Sequence, residues 1–108
     1  MTLLVPTPRD AVYAAIDTER DYQVAMAAKA HGDPSNDYGK PLEAFGLYIG
    51  DYTRELQTQL SRTWGPDAYK TPLDTIRKIA ALCVAAMEVH GAQPRTTPTR
   101  HATGTDLT

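Results

Sequence analysis

The chain has 108 residues, 42% of them hydrophobic and 22% charged, which is enough for one domain with a modest core and too few for two. Eleven basic residues against 13 acidic ones leave a formal net charge of −2, without the clustered basic excess that duplex nucleic-acid binding uses. No apolar run reaches the roughly 18 residues of a membrane-spanning helix, so no membrane partner is expected.

The first predicted helix runs from about Pro8 to Ala30, with Thr7 as N-cap, Pro8 in the first turn and Gly32 as C-cap. Its apolar stripe is Val12, Ile16, Gln23 and Met26, and Glu19 falls inside it. A carboxylate in such a place needs either solvent or a partner, and the natural partners are Arg77 or Lys78. Three readings stay open: a Glu19–Arg77 pair that fixes helix register, a polar pocket lined by Glu19, Gln23 and Arg77, or an exposed Glu19 and a stripe wrongly drawn.

Gly32 to Lys40 consists almost wholly of turn residues and reads as a loop. The second helix spans about Pro41 to Arg62, on a stripe of Leu42, Phe45, Ile49, Tyr52, Leu56 and Leu60 at steps of three or four. Gly46 and Gly50 lie within it, each costing roughly 1 kcal/mol against Ala. They suggest the close approach of another backbone or a ligand. Trp64-Gly65-Pro66-Asp67 ends the helix.

The third helix is bounded by Thr71 as N-cap, Pro72 in the first turn, Asp74 at the third helical position, and Gly91 after His90. Ile79 to Met87 carries no polar side chain. A helix apolar all round is buried on most sides, which implies a central helix or a subunit interface. From Ala92 onward the composition turns polar, with one large apolar residue, Leu107, and reads as a flexible tail. No segment alternates like a strand. The expected fold is therefore an all-α, three-helix antiparallel bundle over residues 1–92 with a flexible tail over 93–108, forming a homo-oligomer through helix 71–90.

Catalytic chemistry finds little support. Cys83 sits in the apolar run as an inert buried thiol, and a single cysteine excludes an internal disulfide and a cysteine zinc site. His31 and His90 lie at helix ends, where the dipole favours them. There is no Gly-rich phosphate loop and no His pair at metal spacing. Among the carboxylates, Asp51 and Glu55 share a face, while Glu43 lies two to three turns earlier. Asp74 and Glu88 lie roughly 21 Å apart along a helix at about 1.5 Å per residue. No catalytic residue, metal ligand or cofactor is expected. Met1 to Pro6 has no basic region and too short an apolar stretch for a signal peptide, so a cytoplasmic location is expected.

Tyr22, Tyr48, Tyr52 and Trp64 read either as core-edge residues or as a stacking platform for a flat ligand. Arg20, Arg54, Arg62 and Arg77 offer planar donors for phosphate.

Ala15 to Gln23 and Ile76 to Ala92 resemble a group of small phage-encoded helical proteins that combine an ERxYQ first helix with an IRKxAALxVAAMExHGA last helix. The resemblance covers about residues 10–95. That group is distantly similar to MazG-type all-α nucleoside triphosphate pyrophosphohydrolases, which hold magnesium on an ExxE pair and an ExxD pair. Here Gly46 follows Glu43 by three and Gly91 follows Glu88 by three, so those metal ligands are missing. The resemblance implies a helical scaffold with a nucleotide-sized cleft that lacks the cutting acids, in the manner of phage sponges that sequester nucleotide second messengers.

The expected function is non-enzymatic sequestration of a nucleotide-like small molecule in the host cell cytoplasm, as a phage counter-defence protein. The expected ligand-binding residues are Glu19, Arg20, Tyr22, Gln23, Tyr48, Tyr52, Trp64, Arg77 and Lys78. The competing readings are a divergent MazG-like pyrophosphohydrolase with relocated carboxylates and a protein-interaction module that inhibits a host factor.

Overall fold

The computed structural model describes residues 7–31 and 39–96. It is all-α: α1 (Pro8–His31), α2 (Leu42–Ser61) and α3 (Lys70–His90), with no strand among the described residues. No described helix is long and apolar enough to cross a membrane. The expected C-cap at Gly32 and the tail from residue 97 lie outside the described residues.

Local chemistry sets the helix ends. At the start of α1, Thr7 Oγ1 accepts the backbone N–H of Asp10, and Asp10 Oδ2 accepts the backbone N–H of Thr7, each at 3.0 Å. This reciprocal box satisfies two donors that a helix start leaves over. At the end of α3, Gly91 takes φ 114° and donates its N–H to the Met87 carbonyl at 2.8 Å. Only glycine adopts that backbone at little cost.

The start of α3 differs from the expectation. Tyr69, not Thr71, is the N-cap residue, and the helix begins at Lys70. The turn before it already winds toward a helix: the Ala68 N–H bonds the Gly65 carbonyl and the Lys70 N–H bonds the Asp67 carbonyl. Pro72 then falls in the first turn, where its missing N–H needs no partner. Asp74 bonds Arg77 on the same helix, at 2.7 Å.

α3 is the central element, with α1 packed on one side and α2 on another. The start of α2 meets the end of α3, where Phe45 is fully buried against Ala85, Ala86 and Val89. The end of α2 meets the start of α3, where Thr75 donates its hydroxyl to Gln59 at 2.8 Å. Among the described residues α1 and α2 make no close backbone approach to each other.

Three expectations about packing need correction. In the α1 stripe, Val12 and Met26 are exposed, while Glu19 and Arg20 are each only 8% exposed. Gly46 and Gly50 face open space, since an added Cβ would meet nothing within 4 Å. They sit on α2 away from its α3 contacts, so among the described residues no other backbone approaches them closely. On α3, Cys83 is half-buried and Met87 is exposed. α1 and α2 cover two faces of that helix and leave a third, because a cylinder with two neighbours keeps one side open.

Candidate functional site

Because α1 and α2 flank α3 without meeting, a groove of about 470 Å³ stays open between them, with Leu82 and Ala85 of α3 in its lining. That volume lies within the roughly 300–1,000 Å³ of small-molecule sites. The α1 wall presents Glu19, Tyr22, Gln23, Met26 and Ala27, the i, i+3, i+4, i+7, i+8 set of one helix face. The opposite wall is aromatic, with Phe45, Tyr48 and Tyr52.

Charge enters from Lys40 and Lys78. The Lys40 ammonium lies 5.3 Å from the Phe45 ring centre and 5.2 Å from that of Tyr48. Lys78 sits 6.0 Å from the Tyr52 ring centre. These are cation–π distances. Lys40 is placed by its own backbone: the His90 ring donates from Nε2 to the Lys40 carbonyl at 2.8 Å, and that ring stands edge-on to Phe45. A carbonyl only accepts, so this bond puts the proton on Nε2.

Among the described residues Glu19 is the one carboxylate in the groove lining. Its Oε1 accepts a 2.8 Å bond from Arg77 Nε, while Arg77 also holds Asp74. The bonds to Glu19 and then Asp74 raise the Arg77 pKa above its ordinary value, so its charge persists at every working pH. One turn on, Gln23 Nε2 reaches the Lys78 backbone carbonyl at 3.5 Å, and the buried Gln23 Oε1 accepts no hydrogen bond.

Six of the nine residues expected from sequence line this groove: Glu19, Tyr22, Gln23, Tyr48, Tyr52 and Lys78. The other three lie elsewhere. Arg20 is buried, with Nε and Nη2 on Glu88 Oε1 at 2.9 and 2.8 Å. Arg77 stands behind Glu19, outside the lining. Trp64 is 86% exposed and borders a separate hollow at the α2–α3 turn with Arg62, Asp67 and Pro72. Arg54 pairs with Asp51 on the outer face of α2.

Sequence reasoning missed Lys40, Met26 and Ala27 as lining residues, and treated Phe45, Leu82 and Ala85 as core alone. Continuing the helical face from Glu19 and Gln23 by four residues finds Ala27. Nothing local marks Lys40, whose place depends on a bond from His90, fifty residues away. Among the described residues no three of His, Cys, Asp and Glu converge as a metal site. Comparison with known proteins finds no matching family model, no matching curated protein and no matching solved structure.

Proposed function

We propose that the protein binds and sequesters a nucleotide-like small molecule in the groove between α1 and α2 without cutting it. The carrying observation is the aromatic wall with an ammonium over its rings at Lys40 and at Lys78. Such a wall stacks a planar base, and the ammoniums attract its phosphates. Among the described residues the only carboxylate of the lining is already held by Arg77, which gives a magnesium ion little support there. In the setting that the resemblance implies, the activity is that of a phage-encoded sponge.

On this reading the scaffold is an antiparallel three-helix bundle that self-associates through α3. Leu73, Ile76, Ala80, Cys83 and Met87 follow a heptad-like spacing, and Leu73, Ile76 and Met87 are exposed. Sedimentation reads this directly: Ile76→Glu should lower the mass of the assembly, and a parent chain that sediments as a monomer removes the oligomer from the reading.

The main test is a thermal-shift screen with cyclic dinucleotides, ADP-ribose derivatives and nucleoside triphosphates. Binding at 100 times Kd stabilises by about 2.7 kcal/mol, which shows as a shift of several degrees. Lys78→Ala should abolish most of the shift. A screen in which no compound stabilises the chain sinks the proposal.

A further inference from the structure

The acceptors on the α1 wall narrow the base. Glu19 is nine-tenths buried and lines the groove, with Oε1 on Arg77 and, among the described residues, no hydrogen bond at Oε2. Gln23 lies four residues on, so the two side chains stand side by side about 5–6 Å apart at Cβ. The Lys78 carbonyl only accepts, so the Gln23 amide must turn its nitrogen there. That leaves Oε1 as a buried acceptor without a donor among the described residues, an unfavourable arrangement until a donor arrives. The wall therefore offers two neighbouring acceptors and asks for two neighbouring donors.

Cationic donors, such as a free guanidinium or a polyamine, are disfavoured by the Lys78 ammonium on the same groove. The donors must sit on a neutral group of an anionic molecule. Among the common bases, adenine and cytosine place one amino group beside a ring acceptor, and uracil places one N–H between two carbonyls. Guanine alone presents a ring N–H and an amino group side by side on one edge. Resting on the nucleotide reading above, we infer that the groove is selective for guanine nucleotides. Glu19 Oε2 receives N1–H, and Gln23 Oε1 receives an N2 hydrogen. Tyr52, on the facing wall, supplies the stacking surface.

Titration calorimetry on the full chain with GTP, ITP and ATP tests this. ITP keeps N1–H and lacks the amino group; ATP lacks both donors and presents an acceptor at N1. GTP should bind at least about tenfold tighter than ITP and about a hundredfold tighter than ATP, because buried acceptors left unpaired penalise the wrong base heavily. Gln23→Met leaves the Glu19–Arg77 pair intact and should bring GTP and ITP within about threefold of each other. Glu19→Gln puts an amide in place of that acceptor and should lower GTP affinity at least about tenfold, narrowing or closing the gap to ATP. The ladder of three nucleotides on the parent chain decides the matter even if that second variant folds poorly. Equal affinities for GTP and ATP overturn the guanine assignment and leave nucleotide binding standing. No binding of any of the three overturns the guanine assignment, and the nucleotide reading falls with it when the thermal-shift screen is blank as well.

Discussion

The two seams of α3 are built on opposite chemistry. Against α2 the contact is apolar, with Phe45 fully buried on Ala85, Ala86 and Val89. Against α1, among the described side chains, the buried members of α1 are Glu19 and Arg20, held by Arg77 and Glu88. Burying an aromatic side chain stabilises by a few kcal/mol regardless of orientation. Buried ion pairs contribute little net stability, because desolvation offsets their attraction, but they penalise misplacement. The difference implies that α2 and α3 carry the stability while α1 is positioned by specific polar partners. The groove then has one firm aromatic wall and one wall whose place is set by charge.

The largest effect should come from breaking the apolar seam. Phe45→Ala removes the one large, fully buried side chain among the described residues and should cost about 3–5 kcal/mol, a large share of the total stability of a domain this size. Chemical denaturation reads it. A loss under 1 kcal/mol would mean that the α2–α3 contact is not where the stability lies.

The polar seam should break more gently and more locally. Glu88→Ala removes the carboxylate that holds Arg20 Nε and Nη2. Glu88 is half-open to solvent, so the cost should be about 2 kcal/mol, below the roughly 3–5 of a fully buried pair. Amide exchange should rise along α1 and much less along α2 and α3. Arg20→Met combined with Glu88→Leu should recover part of the loss, since a packed apolar pair takes the place of the Arg20–Glu88 ions. Uniform exchange across all three helices after Glu88→Ala would erase the distinction between the seams.

The two seams also differ in how readable they are from sequence. Helix number, the Thr7 cap and the Gly91 stop follow from residues within one turn of each other, and the structure agrees. The Phe45 stripe is legible because apolar burial follows helical period. The α1 seam is not, because its buried residues are charged. Period-based reading favours Val12 and Met26, which are exposed, over Arg20, whose burial is made acceptable by a glutamate sixty-eight residues on. Glu19 stands out only as an irregularity in the stripe, and its partner Arg77 can be guessed but not fixed. The two α2 glycines mislead in the other direction. Gly46→Ala should stabilise by about 1 kcal/mol in thermal unfolding, since the new methyl meets open space and the unfolded chain loses freedom. A loss instead would place an unseen neighbour against that face and add a third seam to the two described.

The smallest effect probes how α1 is anchored at its start. The Thr7 backbone N–H, and then the Thr7 hydroxyl, hold the Asp10 carboxyl below its ordinary pKa of 3.8. A carboxyl with a lowered folded-state pKa contributes stability that is fully present above the ordinary value and is lost as pH falls through the lower one. The capping box should therefore be intact at pH 5 and fail below about pH 3.8, while Arg77 keeps its charge throughout. Other carboxylates titrate nearby, so the informative quantity is the difference between the parent and Asp10→Asn. In amide exchange over the first turn of α1, the parent should be the better protected at pH 5, and the two should converge toward pH 2. Convergence confined to α1 ties the acid response to the charge-positioned helix, because no carboxylate takes part in the Phe45 cluster that joins α2 to α3. A gap that persists undiminished at pH 2 would show that the Asp10 charge plays no part in anchoring the helix.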